Sequence, residues 1–565
     1  MELKKQKPSI VWGALTGALL TPLLIVLFFI GERFAGLPFL PLNFFDWIAR
    51  SLPGGLITFG IDTMVDLLIG LGLGADLDTA AKTAEQFMGI GLFFGLGVVT
   101  TTLFYAILNR IDYRELSYLP GISYGVAWGL PMLVLAIPLA VSATAPPLMQ
   151  YLWSALLFIG FGTAVGWTYN SIAFAPISVQ SKTGDVKVHQ IDRREFMVRV
   201  GGASATLTVI GAGLGTLLGD GTTQVASGGD TNTSATTALD LPNADASVQP
   251  APGTRPELTP VADHYRIDIL SGGLPSIPQD YTLPITGLVD NSVDWTLDEI
   301  MAMPSQSEFI TMSCISNRIA GSLISTTKWT GVSFQEILER VQPTAEAGAL
   351  RIVGYDDFDE YLEIDMIRED PRIMLAYHFN DEPLPLRNGY PLRIHIPDRY
   401  GMKQPKWIRS IEFISEWEPG YWVRRGWSEQ AIVNQTSVID TVASNDVFND
   451  ADGQLRVPIG GIAWAGDRPI AAVEVSVDSG PWEVVQLREP LSDRAWTLWR
   501  YDWAFAEGNH TFEVRSYEQA SNAAGDPLLQ PTRTRGTRPD GATGVHAVTA
   551  TLTNSENVDD QAIES

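Results

Sequence analysis

Residues 311–318 read Thr311-Met312-Ser313-Cys314-Ile315-Ser316-Asn317-Arg318, and Cys314 is the only cysteine in 565 residues. The chain therefore holds no disulfide partner for it. A lone thiol beside polar and cationic neighbours reads as a metal ligand or a nucleophile. Read as a small buried hydrophobe, it is ordinary packing, the usual place of an unpaired cysteine. The sequence on either side has to decide.

Outward from that stretch the composition is that of two objects joined. Hydrophobic residues make up 45% of the chain, yet the formal net charge is −26. Nearly all the long apolar runs precede residue 220, and most of the Asp and Glu come after it. The pattern predicts a membrane segment and then an acidic region large enough for about two domains. An acidic surface poor in lysine argues against a nucleic-acid partner.

Five stretches approach the ~20 apolar residues that cross a bilayer core: 9–30, 87–108, 121–141, 148–167 and 200–218. A sixth, 56–73, carries Asp62 and Asp66 one helical turn apart, an expensive pair in lipid. Lys4, Lys5 and Lys7, then Arg110 and Arg114, then Lys182, Lys187, Arg193, Arg194 and Arg199 all reach the cytoplasmic side if 56–73 does not cross. The sequence thus predicts five spans, with six as the alternative, and an extracytoplasmic region after residue 220. Asp192-Arg193-Arg194-Glu195-Phe196-Met197 before a Gly/Ala-rich helix resembles an internal twin-arginine export signal, the route for proteins folded around a cofactor. As a bare basic flank it reads equally as a topology signal.

The expected organisation is a transmembrane helical region over 1–219, a flexible linker over 220–257, an α+β domain over 258–420, an all-β sandwich of immunoglobulin type over 421–553 and a disordered tail over 554–565. The linker is expected from its Gly, Ser, Thr, Asn and Pro. The α+β domain is expected from short β-rich runs such as 281–289 alternating with helical ones such as 333–341. The sandwich is expected from alternating strands at 471–477 and 511–517, with turn signals between them.

Along residues 258–553 a set of phrases then falls in order: Cys314 to Asn317, Trp329 to Val332, Leu375-Ala376-Tyr377, Asn388-Gly389-Tyr390-Pro391-Leu392-Arg393, and Tyr400 to Ile408. Together they resemble the molybdopterin-binding domain of the sulfite oxidase family. Gly420-Tyr421-Trp422, Gly426-Trp427, Gly460 to Gly466 and Gly541 to His546 resemble that family's second, dimerisation-type domain, which leaves a homodimer open. The resemblance implies a molybdenum–molybdopterin cofactor bound through one protein thiolate, and Cys314 is the residue in that place, as metal ligand and catalytic residue. A soft sulfur suits such a metal, and a cation such as Arg318 would favour the thiolate.

The resemblance also assigns cofactor-binding positions to Tyr265, Arg266, Asn388, Arg393, Gln404, Pro405 and Lys406, where arginine offers the fork that a phosphate accepts. It places Tyr361 where the family has a tyrosine facing the metal, able to donate a proton or hydrogen bond to a bound oxyanion. His378 and His395 read as structural. Ile319 stands where animal and plant sulfite oxidases have a second arginine, and Ile267 falls near another of their pocket arginines. Both departures weaken the case for a small dianion such as sulfite. Ala262 stands where methionine sulfoxide reductases have a cofactor-contacting asparagine.

The six histidines lie outside the expected spans and no Cys-x-x-Cys-His motif is present, so no haem is expected in this chain. Electrons then pass to or from a separate partner, a cytochrome or a quinone-linked protein. The predicted function is a multi-pass cell-membrane oxidoreductase, its helices in contact with membrane lipid and its catalytic region extracytoplasmic, moving an oxygen atom to or from a small substrate such as sulfite, a sulfoxide or an N-oxide. The alternative is a membrane-anchored binding or assembly protein that reuses the fold without turnover.

Overall fold

A computed structural model of the chain describes residues 7–56, 77–111, 117–173, 239–521 and 525–553, with isolated positions within 59–67 and 201–209. The chain divides into a helical unit (residues 1–53, 81–228 and 269–276) and a β-rich unit (54–80, 229–268 and 277–565).

The helical unit is built on α1 (Ile10–Ala35), α2 (Leu40–Ser51), α3 (Leu77–Arg110), α4 (Leu119–Leu135) and α5 (Pro147–Ala173). Among the described residues, four helices are long and apolar enough to cross a membrane: Ile10–Ala35, Lys82–Arg110, Leu119–Leu139 and Pro147–Ala173. They coincide with four of the five expected spans. The fifth, the 56–73 stretch and the twin-arginine sequence lie outside the described residues apart from isolated positions, as do the tail 554–565 and the first half of the linker, 220–238.

These helices are apolar all round, so their polar groups turn inward. The Thr16 hydroxyl meets the Tyr105 hydroxyl at 3.0 Å, Tyr124 meets Thr100 and Thr101 at 2.9 Å, and Tyr169 donates to Asn109 Oδ1 at 3.1 Å. Leu103, Ile107, Leu130, Val134, Leu152 and Leu156 are exposed on the outside. Polar-in, apolar-out is the arrangement that hydrocarbon favours and water does not. Helices α4 and α5 approach through Gly121, Gly125, Gly162 and Gly166, where a Cβ would strike facing backbone. Small residues of this kind let membrane helices pack backbone to backbone.

The β-rich unit begins with β1 (Thr282–Gly287), β2 (Val293–Thr296), β3 (Ser305–Ser313), β4 (Ile324–Ser333), β5 (Ala349–Gly354), β6 (Asp359–Glu363), β7 (Met374–Phe379), β8 (Glu382–Pro383), β9 (Arg393–His395) and β10 (Ile408–Ile414). They form two mixed-order sheets, β2-β1-β10-β5-β6 and β3-β4-β7-β8, with β9 paired to β7. Leu283, Ile285, Leu350, Ile352, Ile411 and Phe413 of the first sheet share one core with Val332, Leu375 and Ile394 of the second. Short helices α6 (Leu297–Met301), α7 (Phe334–Val341) and α8 (Ile364–Glu369) connect the strands. Phe334, Ile337, Leu338 and Val341 of α7 are buried in the same core, the i, i+3, i+4, i+7 stripe of an amphipathic helix.

Beyond residue 420 two further sheets form. One has the order β11-β13-β17-β16 from Thr436–Val442, Leu455–Trp464, Thr497–Ala504 and Gln486–Leu487, with β12 (Phe448–Asn449) on β13. The other has the order β15-β14-β18-β19 from Glu483–Val484, Ile470–Val477, Gly508–Ser521 and Pro527–Leu529, with β20 (His546–Leu552) on β18. Ile439, Val457, Ile459 and Trp499 of the first share a core with Val473, Val475, Phe512 and Val514 of the second.

Residues 239–257 differ from the flexible linker expected there. Arg488 pairs with Glu257 at 3.0 Å and donates to the carbonyls of Asn243 and Val248, while Arg255 pairs with Asp440. Asn243 and Ala251 are buried. Scattered anchors of this kind have no period for sequence reading to find, so composition alone suggested a free tether.

Candidate functional site

Cys314 comes directly after β3, at the mouth of the β3–β4 hairpin, which pairs without a break from Ser305↔Val332 to Ser313↔Ile324. Its N–H donates to the Leu323 carbonyl at 2.9 Å, closing the ten-residue loop that carries the motif. Asn317 holds that loop from inside: its Oδ1 accepts from the Leu323 N–H at 3.0 Å, and its own N–H donates to the Cys314 carbonyl. Gly321 is required there, because a Cβ would collide with Asn317 Oδ1.

Cys314 is 8% exposed, and its Sγ lies 3.0 Å from Ser316 Oγ. Burial pushes the thiol pKa up, opposed by the Ser316 hydrogen bonds and by the Lys406 charge. Lys406 is thus a cation that favours the thiolate. Arg318 stands half-buried in the hairpin loop.

Around Trp329 and Phe379, cross-strand partners on β4 and β7, a buried polar cluster collects. The Arg393 guanidinium carbon sits 4.7 Å from the Trp329 ring centroid and 5.7 Å from that of Phe379. Arg393 Nη1 donates to the Asn388 carbonyl at 2.8 Å and Nη2 meets Met312 Sδ at 3.2 Å. No carboxylate among the described residues pairs with it, and burial pushes its pKa down to about 10.

His264 is fully buried against Phe379. Its Nδ1 lies 3.1 Å from the Tyr265 carbonyl and 3.4 Å from Asn388 Nδ2, donating to the first or accepting from the second according to tautomer. His395 Nδ1 meets Gln404 Oε1 at 3.1 Å. Burial lowers the pKa of His264 to about 3 and of His395 to about 4, so both are neutral.

The turn 404–406 closes one side. Gln404 Nε2 donates to the Arg399 carbonyl at 2.8 Å, the Pro405 carbonyl accepts from the Ile394 N–H, and Lys406 Nζ donates to the Ile267 carbonyl at 3.0 Å. Arg266 pairs with the buried Asp268 at 2.6 Å, and Lys406 stands 3.6 Å from the same carboxylate. Burial pushes the Lys406 pKa down to about 8. Tyr265 is buried, with its N–H on Ser325 Oγ. A Cβ on Gly401 would lie 2.8 Å from the Tyr265 hydroxyl.

Asn388 Oδ1, Arg393 Nε, His264 Nε2 and His395 Nε2 are all buried, and none has a hydrogen-bond partner among the described residues. Buried polar atoms are ordinarily paired, and each orphan costs ~1–3 kcal/mol. Arg393 Nε is a donor that suits an anionic oxygen such as a pterin phosphate's, while Asn388 Oδ1 and His395 Nε2, unprotonated because Nδ1 donates to Gln404 Oε1, are acceptors that suit the N–H groups of a pterin ring. Cys314 supplies a soft donor at one edge of the cluster. The donor set fits a molybdopterin.

The structure therefore brings together Cys314, Tyr265, Arg266, Asn388, Arg393, Gln404, Pro405 and Lys406. Tyr361 stands apart in its contacts: it pairs with Arg351 across β5–β6, its carbonyl accepts from Trp417 Nε1 at 3.2 Å, and its hydroxyl engages Glu418. Sequence reading missed His264 and His395 as members of the cluster. His395 carried a usable signal, since it lies two residues from Arg393 on one strand and so shares its face.

A family model described as the oxidoreductase molybdopterin binding domain matches residues 271–422. The chain is 30% identical over 150 residues to a putative protein-methionine-sulfoxide reductase subunit YedZ1 of Azospira oryzae, covering 26% of this chain and 54% of that protein. It is 26% identical over 266 residues to the mitochondrial sulfite oxidase of Homo sapiens, covering 40% and 49%. It is 25% identical over 333 residues to the NAD(P)H nitrate reductase of Hordeum vulgare, covering 48% and 37%. The chain thus spans about half or less of the length of each of these relatives.

Proposed function

We propose, from the standing of residues 271–422 as a molybdopterin-binding domain of the sulfite oxidase family, that the chain is a membrane-anchored molybdenum oxidoreductase. It would move an oxygen atom between water and a small substrate of the sulfite, sulfoxide or N-oxide type. The observation that carries this reading is the concentration of unpartnered buried atoms around Arg393, which has no carboxylate partner among the described residues and lies one hairpin away from the only thiol.

When bound, the cofactor supplies two-electron oxygen-atom chemistry that no side chain can perform. The chain's part is to hold and orient it. Cys314 offers its sulfur as thiolate. Arg393, Asn388 and Lys406 offer charge and hydrogen bonds to the phosphate end, and Tyr265, Arg266, Gln404 and Pro405 stand around the same cluster. Neutral His264 and His395 each keep one nitrogen free for a cofactor polar group. The buried aromatic floor of Trp329 and Phe379 excludes water beneath it. Arg318 and Tyr361 are assigned to the substrate side, Tyr361 as a hydrogen-bond or proton donor. Ile319 and Ile267, in place of cations, favour a neutral or singly charged substrate over sulfite.

The domain boundaries expected from the sequence, with an immunoglobulin-like sandwich after residue 420, belong to this proposal. So does an extracytoplasmic catalytic region, supported by the placement of Lys and Arg beside the spans. Electrons would be exchanged with a separate cytochrome or quinone-linked protein. Metal analysis of the purified chain tests the reading. Stoichiometric molybdenum that is lost in Cys314→Ser supports it, and metal-free protein with the native fold overturns it.

A further inference from the structure

One buried ion pair beside the proposed cofactor site belongs to none of the roles above. Lys403 Nζ lies 2.6 Å from Glu360 Oε1, with the two side chains 7% and 1% exposed. Glu360 arrives on β6, the edge strand of the first sheet. Lys403 ends the single turn Gly401–Lys403 that leads into Gln404, Pro405 and Lys406. The Tyr361 N–H also donates to Glu360 Oε1 at 3.0 Å, whereas the buried Oε2 has no partner among the described residues. Gly420 presses so close that a Cβ there would come within 2.7 Å of the carboxyl group.

Burying two charges costs desolvation that an apolar pair of similar size avoids, and a leftover carboxylate oxygen adds to that cost. Stability alone is therefore a poor explanation of this pair, and what it holds is a better one. The far side of the same turn rests on the cysteine strand. A Cβ on Gly401 would meet the Tyr265 hydroxyl at 2.8 Å, the Ser313 carbonyl at 3.5 Å and Met312 Sδ at 3.8 Å. The turn is thus wedged between Glu360 and the residues that lead to Cys314. From there the chain runs on to Gln404 against His395, Pro405 against Ile394, and Lys406 against Ile267.

We propose that Glu360, acting through Lys403, is a positioning residue that fixes the 404–406 turn in the geometry that grips the cofactor's phosphate end. This rests on the reading of that turn as cofactor-binding. A hydrophobic contact could hold the two strands together equally well, but only a directed bond from a rigid strand fixes the axial position of a lysine-bearing turn.

The test uses the full-length protein as wild type, Glu360→Gln, Lys403→Arg and the double variant Glu360→Leu with Lys403→Met. The readouts are amide hydrogen exchange over 401–406, melting temperature and molybdenum content. The proposal expects exchange in that turn to quicken by about tenfold or more in Glu360→Gln and in the double variant, with β5 and β10 unchanged. Molybdenum content falls several-fold in both, even where the apolar pair of the double variant restores the wild-type melting temperature, and Lys403→Arg keeps both values. A double variant with wild-type exchange in the turn and full molybdenum content overturns the proposal, leaving the pair as mere structure. Should the wild type itself prove metal-free, the functional reading fails, while exchange at 401–406 still decides whether Glu360 positions the turn.

Discussion

Arg393 is a buried cation with aromatic rings above it, a sulfur and a carbonyl beside it, and a nitrogen left without a partner among the described residues. In cofactor-free protein that arrangement is a burden, because no described carboxylate repays its desolvation. Arg393→Met is therefore expected to leave the melting temperature of cofactor-free protein unchanged or raised. The same change removes a charge-assisted contact worth ~1.5–3 kcal/mol to a bound phosphate, so molybdenum retention should fall about tenfold to a hundredfold. Melting curves and metal analysis on one preparation check both halves. A variant destabilised in the cofactor-free state would show Arg393 to be structural.

Lys406 gives a pH signature of the same site. Its pKa is pushed down by burial from the ordinary lysine value of 10.5 to about 8. Between those values the unfolded chain binds a proton that the folded chain does not, so stability rises with pH across that window. The strain is fully present below about pH 8. A bound anion would lift the folded pKa and flatten the slope. Melting temperature against pH, from about 7.5 to 10, should thus climb in cofactor-free protein more than in loaded protein, and the difference should vanish in Lys406→Met. The sequence made Lys406 legible as a cofactor residue by resemblance. Its depressed pKa was not legible, because that depends on burial beside Arg266, Asp268, Asp356 and Arg393, which lie far apart along the chain.

The element that presents the thiol is the β3–β4 hairpin. The Trp329 phrase was legible by resemblance, but the closure of the 314–323 loop, by one backbone bond and one side chain facing back onto the backbone, is something no periodicity reports. Asn317→Ala leaves the buried Leu323 N–H without its acceptor, at a cost of ~1–3 kcal/mol. The loop should then open more often, and the buried, protonated thiol should become reactive. Because the chain has a single cysteine, the rate of thiol alkylation reads that opening without ambiguity. The expected change in cofactor-free protein at neutral pH is an increase of about tenfold or more, in line with that free energy. An unchanged rate would mean that Asn317 does not govern access to Cys314.

At the scale of the whole molecule, the sequence separated an apolar half from an acidic half correctly, because bilayer-length apolar runs are the strongest signal a chain can carry. It was weaker on the strap at 239–257, which is held by isolated anchors such as Arg488. Which side of the membrane the β-rich unit occupies rests on the distribution of lysine and arginine alone, and the buried state of Cys314 makes that testable. The native thiol is too enclosed to react quickly, so a cysteine placed at a fully accessible point becomes the dominant label site. Val484 on β15 is 69% exposed, and only its backbone, paired with Glu474 on β14, takes part in the sheet. In Val484→Cys, a membrane-impermeant maleimide added to intact spheroplasts should label the protein as fully as it does after permeabilisation. Labelling only after permeabilisation would put the β-rich unit in the cytoplasm, as an even number of spans from a cytoplasmic N-terminus requires, and remove any need for its export across the membrane.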